Sequence, residues 1–404
     1  MPKPTSDCRA TERKHPWPMV RLGDVCEFSR GLTYSKSDEV QFSLNVVLRS
    51  NNVDLETGRL VLDELKYIRD SIEIPTSKRV AKGAILMCTA NGSKQHLGKV
   101  ALIDGDYNCA FGGFMGLLTP NASIDSRYLY WQLMSFEFKR LVTTLTDGAN
   151  INNLKFADIS QFTFLLPPLT EQKEIVARLE RELAAVEKMK KGFEALAETA
   201  KAEFKAELKE VFEALRCSGV EMKRLGEVGR VAMCKRVLKA QTSDNGDIPF
   251  FKIGTFGKEP NAYISNELFG EFVKKFSYPK KGDVLISAAG TIGRTIVFDG
   301  KPSYFQDSNI VWLEHDGTKV TNEYLHCFYW SKPWKVSDGA TIPRIYNGDI
   351  ESAEIPLPSL PVQRQIVDRL SAAKVRTEKL EAKAREGVAV CETMRKAILK
   401  EAFE

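Results

Sequence analysis

Leu166–Glu180 reads LPPLTEQKEIVARLE, and Leu357–Ser371 reads LPSLPVQRQIVDRLS. The two stretches lie 357 − 166 = 191 residues apart, and the same offset holds on both sides of them. Upstream, Asp147-Gly148-Ala149 matches Asp338-Gly339-Ala340, and Asp158-Ile159 matches Asp349-Ile350. Downstream, LKEVFE from Leu208 matches LKEAFE from Leu399. Self-similarity at a fixed period is the mark of a duplicated structural unit. Nearer the start of each half the offset drifts. Arg21–Val25 (RLGDV) matches Arg224–Val228 (RLGEV) at 224 − 21 = 203, and Lys82-Gly83 matches Lys281-Gly282 at 281 − 82 = 199. Each half therefore joins a part of variable length to a part of constant length.

The constant part has the period of a helix. In the first copy Ile175, Leu179, Val186, Phe193, Leu196, Phe204 and Leu208 fall on one stripe, with Leu183, Met189 and Ala200 between them and Val211 after them. In the second copy Ile366, Leu370, Leu380, Val388, Met394 and Ile398 do the same, with Ala373, Ala384 and Cys391 between them, Ala402 after them and Thr377 as the polar exception. Steps of three and four residues make one apolar face. Pro361 suits a first helical turn, where its missing N–H costs nothing. The spacing predicts two helices of about 42 residues, roughly 63 Å each at 1.5 Å per residue. A stripe that long needs an apolar partner. Equal length and register make each helix the partner of the other, in a coiled coil. The alternative is that each packs separately on its own globular domain.

The variable parts carry short β-branched and apolar runs bounded by glycines, such as GAILMCTA, KVALID, GDVLISAAG, TIVFDG and NIVWLEH. Further helices are predicted near Ser126–Leu141 and Asn322–Lys332. The expected fold class is α+β (mixed α/β): two globular domains separated by two long helices that form a coiled coil. The expected boundaries are 1–165 for the first globular domain, 166–216 for the first helix, 217–356 for the second domain and 357–404 for the second helix.

A chain of 404 residues has room for several cores. With 43% hydrophobic and 27% charged residues it has the composition of a globular protein. A net charge of +5 permits an anionic partner without demanding one. The eight cysteines (Cys8, Cys26, Cys88, Cys109, Cys217, Cys234, Cys327 and Cys391) form no C-x-x-C pair and no zinc spacing. Scattered thiols suit core packing in a reducing compartment. The first residues, MPKPTSDCRATERKHPWP, hold no apolar signal region. No run of about 18 apolar residues is present. A cytoplasmic protein without a membrane segment is expected.

Catalytic signatures are missing. The one Pro-Pro pair, Pro167-Pro168, is flanked by leucines and has no Asn or Asp before it, unlike a methyltransferase loop. There is no G-x-G-x-x-G after a strand and no phosphate-binding G-x-x-x-x-G-K-[ST]. Glu64-Leu65-Lys66 is a bare E-x-K without the further acidic ligands of a metal-dependent nuclease. His15, His96, His315 and His326 form no metal or general-base pattern. No catalytic residue, metal ligand or bound cofactor is expected on this chain. A self-contained DNA methyltransferase or nuclease is the disfavoured alternative, and a coiled-coil adaptor without a DNA role is another.

Reading base edges takes Arg, Lys, Asn and Gln side chains on loops. Three polar loops recur in matching places of the two halves. Arg49-Ser50-Asn51-Asn52 corresponds to Lys252-Ile253-Gly254-Thr255. Asn91–Gln95 with Gly98-Lys99 corresponds to Gly290–Arg294. Asn150–Lys155 (NINNLK) corresponds to Thr341–Tyr346 (TIPRIY). The first half's loop TANGSKQHLGKVAL is longer than AGTIGRTIVF of the second. Taken singly, each cluster is also what a solvated turn looks like. Together they suggest two readers built on one plan with different targets. The candidate DNA-binding residues are Arg49, Asn51, Asn52, Lys94, Gln95, Lys99, Asn152 and Lys155 in the first half. In the second they are Lys252, Thr291, Arg294, Arg344, Tyr346 and Asn347.

These features resemble the specificity subunit of type I restriction–modification systems over nearly the whole chain. The resemblance rests on LPPLTEQKEIVARL and LPSLPVQRQIVDRL, on the openings VRLGDV (Val20–Val25) and KRLGEV (Lys223–Val228), on AGTIGR at Ala289–Arg294, and on the helix ends at Leu208–Phe212 and Leu399–Phe403. It implies two target-recognition domains, each reading one half of a bipartite, asymmetric site on double-stranded DNA. It implies that the two helices pair antiparallel and that their stripe residues also dock two methyltransferase subunits, which recruit restriction subunits. S-adenosylmethionine, Mg and ATP are then expected on partner subunits only, and adenine methylation and restriction are directed from outside this chain. A recognition subunit serving a methyltransferase-only system is the narrower alternative.

Overall fold

The computed structural model describes residues 17–147, 153–290, 292–334 and 344–403. The chain divides into two compact units, Met1–Lys191 with Gly387–Glu404, and Gly192–Glu386.

The first unit opens with β1 (Met19–Arg21) and the single turn α1 (Leu22–Val25), followed by β2 (Cys26–Arg30), β3 (Glu39–Val40), β4 (Asn45–Leu48), β5 (Lys66–Ile68), β6 (Ile85–Cys88), β7 (Val100–Leu102), β8 (Ala110–Phe111) and β9 (Met115–Pro120). Helices α2 (Ser126–Met134), α3 (Phe136–Thr146) and α4 (Phe156–Ile159) come next, then β10 (Thr163–Leu165) and the long α5 (Leu169–Cys217). The strands form an antiparallel sheet β2-β9-β6-β7, a second sheet β3-β5-β4-β8, and the pair β1-β10.

The second unit repeats this plan. It holds β11 (Met222–Arg224), α6 (Leu225–Val228), β12 (Arg230–Met233), β13 (Ile248–Phe251), β14 (Tyr263–Ile264), α7 (Asn266–Lys275), β15 (Val284–Ser287), β16 (Thr295–Val297), β17 (Tyr304–Phe305) and β18 (Ile310–Glu314). Then follow α8 (Asn322–Trp330), α9 (Asn347–Glu351), β19 (Glu354–Pro356) and the second long helix, α10 (Leu360–Glu401). Its sheets are β12-β18-β15-β16, β14-β13-β17 and the pair β11-β19. The strand order of the four-stranded sheet is thus the same in both domains. Apolar strands such as ILMC at β6 and VLIS at β15 are buried along their whole length, as central strands covered on both faces are.

The predicted helix over Ser126–Leu141 is two helices. Ser135 stands between them with φ −65° and ψ 162°, and its Oγ accepts the N–H of Phe138 to cap α3. The second predicted helix is observed as α8, capped by Thr321 Oγ1 accepting the N–H of Tyr324.

The two long helices are observed at 49 and 42 residues, so the first exceeds its expected length. Each contributes to both compact units. In the first unit Val176 of α5 lies in a core with Leu22, Leu129 and Phe164, and Phe403, just past α10, packs on that core. In the second unit Leu208, Val211, Phe212 and Leu370 share a core with Tyr324, Phe328 and Ile355. Within the second unit Glu207 receives Arg369 at 3.0 Å and Arg376 at 3.3 Å, while Thr377 Oγ1 reaches the Ala200 carbonyl at 3.4 Å. As numbering rises along α10 it falls along α5, so the helices pair antiparallel there. In the first unit Lys190 meets Glu392 at 3.6 Å, in the same sense.

The seam between the helices differs from the expected stripe in one respect. Leu179, Val186, Leu208 and Leu370 are buried, and Ile175, Phe193, Phe204, Ile366, Leu380, Val388 and Ile398 are half-buried. Met189, Leu196 and Met394 are 42%, 38% and 39% exposed, so these three do not belong to the buried seam. Small side chains fill it in the second unit, where Ala200, Ala373, Ala384 and Thr377 are all buried.

The repeated sentence at the head of each helix has a structural purpose. Gln172 and Gln363, at equivalent positions (363 − 172 = 191), are both completely buried. Gln172 Nε2 donates to the carbonyls of Pro167 at 2.7 Å and Ser123 at 3.1 Å, while its Oε1 accepts the N–H of Asp125, the cap of α2. Gln363 Nε2 donates to Pro358 O at 3.0 Å and Lys319 O at 2.8 Å, and its Oε1 accepts the N–H of Thr321, the cap of α8. Nearby, Tyr128 donates to Leu165 O and Tyr324 to Pro356 O, each at 2.8 Å. The proline hinge and its glutamine lock each long helix onto the globular domain before it.

Candidate nucleic-acid interface

The three polar loops of the first domain meet at the C-terminal end of β6. The loop after β6 forms a bridge from Ala90 to Asn153, and the N–H of Leu154 donates to Thr89 O at 2.7 Å. Asn91 Nδ2 donates to Ser50 Oγ at 2.9 Å, tying in the loop after β4. The second domain makes the equivalent bridge from Ala289 to Arg344, and the N–H of Ile345 donates to Ala288 O at 2.9 Å. Its loop after β13 comes alongside, with Ile253 within reach of Gly290.

The hairpin after β6 closes through Gly98, whose φ is 73°, and that after β15 closes through Gly293, also at 73°. The N–H of Gly98 donates to Cys88 O and that of Gly293 to Ser287 O, both at 2.9 Å. Only glycine takes this left-handed conformation without strain. Between strand ends the first loop has 100 − 88 − 1 = 11 residues and the second 295 − 287 − 1 = 7. The length difference read from the sequence therefore sits inside a conserved closure.

Not every candidate side chain presents itself to solvent. Asn52 is buried: its Oδ1 accepts the N–H of Arg49 at 2.9 Å, and its Nδ2 donates to the carbonyls of Val61 at 2.9 Å and Glu64 at 3.0 Å. It braces the loop, and each of its polar groups is engaged internally. Lys94 Nζ donates to Thr146 O at the end of α3, and Lys99 Nζ donates to Val53 O, each at 2.8 Å. Burial holds the Lys99 ammonium below the usual lysine range. Lys94, Gln95 and Lys99 line a cleft of about 360 Å³ with Asp54 and Lys139. In the first domain Asn51, Lys94, Gln95 and Lys155 are exposed, and Arg49 and Lys99 are half-exposed. Asn152 and Thr291 lie outside the described residues.

In the second domain Lys252 and Tyr346 are exposed, and Asn347 is half-exposed at the first position of α9. Arg294 is exposed but tethered, with Nη1 donating to Phe256 O at 2.8 Å. Arg344 Nη2 donates to Ser308 O at 2.8 Å and Asn309 Oδ1 at 3.3 Å, and its guanidinium lies 6.0 Å from the Tyr346 ring.

These last contacts reveal a fourth loop that the sequence reading missed, Gly112–Phe114 before β9 and Gln306–Asn309 before β18. Phe114 O accepts the N–H groups of Thr89 and Ala90, and Asn309 O accepts the N–H of Ala288 at 2.8 Å. The signal in the sequence was FGGF at Phe111–Phe114. A Cβ at Gly31 would overlap the Gly112 carbonyl, so the close approach requires glycine there. Arg30, also missed, is exposed and lies 5.4 Å over the Phe156 ring. The E-x-K tripeptide has a structural use: Glu64 lends its carbonyl to Asn52, and Lys66 pairs with Glu39 at 2.6 Å. Among the described residues no group of three or more His, Cys, Asp or Glu side chains could hold a metal ion.

The family model of the type I restriction modification DNA specificity domain matches this chain twice, over residues 14–193 and 217–388. The chain is similar to the putative type I restriction enzyme specificity subunit S.HindORF215P of Haemophilus influenzae. They are 43% identical over 260 residues, or 64% of this chain and 66% (just under two thirds) of that protein. It is similar to the StySPI specificity subunit of Salmonella potsdam at 25% identity over 417 residues, covering 96% of this chain and 88% of the other. Among solved structures, a chain described under complex assembly and conformational transition of the type I R-M system superposes with a TM-score of 0.74 at 22% identity, covering 96% of this chain and 97% of that one. The HsdS subunit from Thermoanaerobacter tengcongensis superposes at 0.57 and 21% identity, covering 96% of each chain. At those identities the likeness is one of fold. Each family-model match takes in one globular domain and the first part of the helix that follows it, and on these two matches the chain belongs to the type I restriction–modification specificity family.

Proposed function

We propose that this chain is the sequence-reading subunit of a type I restriction–modification complex, with each globular domain recognising one half of a bipartite, asymmetric DNA site. The observation that carries the proposal is the repeated convergence of loops. Two equivalent bridges, Ala90 to Asn153 and Ala289 to Arg344, hold equivalent loops together while the side chains on them differ. A constant scaffold with altered donors and acceptors is what two readers of different sequences need.

The paired helices set the number of unread base pairs between the half-sites and dock two methyltransferase subunits, through which restriction subunits join. The chemistry then belongs to those partners, which carry S-adenosylmethionine, Mg and ATP, and this chain supplies recognition and spacing. No helix among the described residues is long and apolar enough to cross a membrane.

The test is to co-express the chain with its methyltransferase partner and sequence the methylated genome. A bipartite asymmetric motif is expected, and exchanging residues 17–165 for those of a relative should alter one half alone. Methylation at a contiguous palindrome would overturn the bipartite reading. Methyl transfer by the purified chain alone would establish the self-contained enzyme instead.

A further inference from the structure

Phe114 stands at the centre of the first domain's loop cluster and is 73% exposed. An exposed phenylalanine is unremarkable alone, but the backbone of this one is anchored. Its carbonyl accepts three hydrogen bonds at 3.0 Å, from the N–H groups of Thr89 and Ala90 and from Thr89 Oγ1. Ala90 in turn bridges Asn153, and the adjacent Asn91 holds Ser50. A Cβ built on Gly112, in the same loop as Phe114, would lie 4.0 Å from Arg49 Cγ. The backbone that carries this exposed ring is therefore fixed, in the loop cluster that also bears exposed Asn51 and Lys155 and half-exposed Arg49. At the equivalent place of the second domain stands Asn309, whose backbone carbonyl accepts the N–H of Ala288 and whose side-chain oxygen accepts Arg344.

We infer that Phe114 is a specificity-determining contact of the first domain, packing its ring against the C5-methyl group of a thymine in the major groove of the half-site read there. The inference rests on the DNA-reading function proposed above. Hydrogen-bonding side chains read donors and acceptors, whereas the thymine methyl is the one base-edge group recognised by apolar contact, and phenylalanine is among the residues that supply it. The second domain places an amide at this point. The two half-sites are accordingly read with different chemistry at equivalent positions of one scaffold.

The test uses the assembled complex with its methyltransferase subunits and duplexes carrying its own site. Each thymine of the first half-site, on either strand, is replaced in turn by uracil, which removes only the C5-methyl group. The unaltered complex should lose about fourfold in affinity at one thymine, the worth of one buried methyl group, and Phe114→Ala should bind thymine and uracil duplexes equally at that position. Asn309→Ala should keep the uracil penalty in the first half-site. An equal penalty in the unaltered and Phe114→Ala complexes, or no uracil penalty at any first-half thymine, overturns the inference. The ring is exposed, so Phe114→Ala leaves the core intact, and unchanged thermal unfolding of the variant checks this. Loss of all sequence preference by the unaltered complex would instead count against the DNA-reading function itself.

Discussion

The side-chain oxygen of Gln172 accepts the N–H of Asp125 at 2.7 Å, joining the first turn of a long helix to the cap of a domain helix 47 residues earlier in the chain. Gln363 repeats the contact with Thr321. Replacing Gln172 by Ala strands the Asp125 N–H and the carbonyls of Ser123 and Pro167 in a site closed to water. A buried polar group left unpaired costs about 1–3 kcal/mol. Gln172→Ala and Gln363→Ala should therefore each lower unfolding stability by on the order of 3 kcal/mol in urea titrations. A loss under about 1 kcal/mol would mean that water replaces the amide and that the clamp is dispensable.

Gln172→Glu makes the same point through pH. The carboxyl so introduced is buried against two carbonyl oxygens, so desolvation raises its folded pKa above the unfolded value of about 4.3. A raised carboxyl pKa means the folded state holds the proton more tightly. The penalty should then be smallest below about pH 4, grow as pH rises toward the folded pKa, and stay constant above it. Unfolding curves at several pH values check this, and a penalty independent of pH would place the carboxyl in water.

How much of this was legible beforehand divides along physical lines. The strict 191-residue register exposed the long helices and their hinge, because a helix cannot absorb an insertion without rotating its apolar face. The loops were legible as positions, because the hairpin closures at Gly98 and Gly293 are the same turn in both domains. Whether a given polar side chain faces outward was not legible: Asn51 and Asn52 are chemically identical neighbours, and only the fold buries the second. The fourth loop was missed because its anchoring is by backbone carbonyls, which leave little trace in residue type. The break at Ser135 was missed because apolar residues keep helical spacing across it.

The seam of the helix pair yields a contrast between two positions on α5. Ala200 is 3% exposed, with its carbonyl within 3.4 Å of Thr377 Oγ1, whereas Leu196, one turn earlier, is 38% exposed. Ala200→Leu should overpack the seam and destabilise by about 1–3 kcal/mol. Leu196→Ala should cost less than about 1 kcal/mol, since little apolar surface re-emerges. Circular dichroism during thermal unfolding distinguishes them, and a reversed order would mean that the larger stripe residues carry the pairing.

Lys155 and Arg344 should respond differently to removal, although both lie in the third loop of their domains. Lys155 is exposed at the start of α4, and as a DNA contact it would act as a point charge toward a phosphate. Lys155→Ala should weaken binding evenly across sequences and reduce the salt slope by about 1. Arg344 holds the fourth loop of the second domain through Ser308 and Asn309. Arg344→Ala should relax the second half-site while leaving the first intact. Filter binding across a salt series, with duplexes altered in one half-site at a time, measures both. A uniform loss for Arg344→Ala would make it a phosphate contact.

The final prediction concerns length. If helix length sets the spacer, the contrast between drifting domains and a rigid 191-residue register has a functional cause. Removing one heptad from α5 within Gly192–Ala206, with the facing heptad of α10, shortens the pair by about 10.5 Å at 1.5 Å per residue. Stacked base pairs rise about 3.4 Å each. The spacer should therefore contract by up to about 3 base pairs while both half-sites keep their sequences. Insertion of a heptad should lengthen it correspondingly. Whole-methylome sequencing reads spacer and half-sites together. An unchanged spacer with altered half-site bases would show that the helices hold the domains without measuring the distance between their targets.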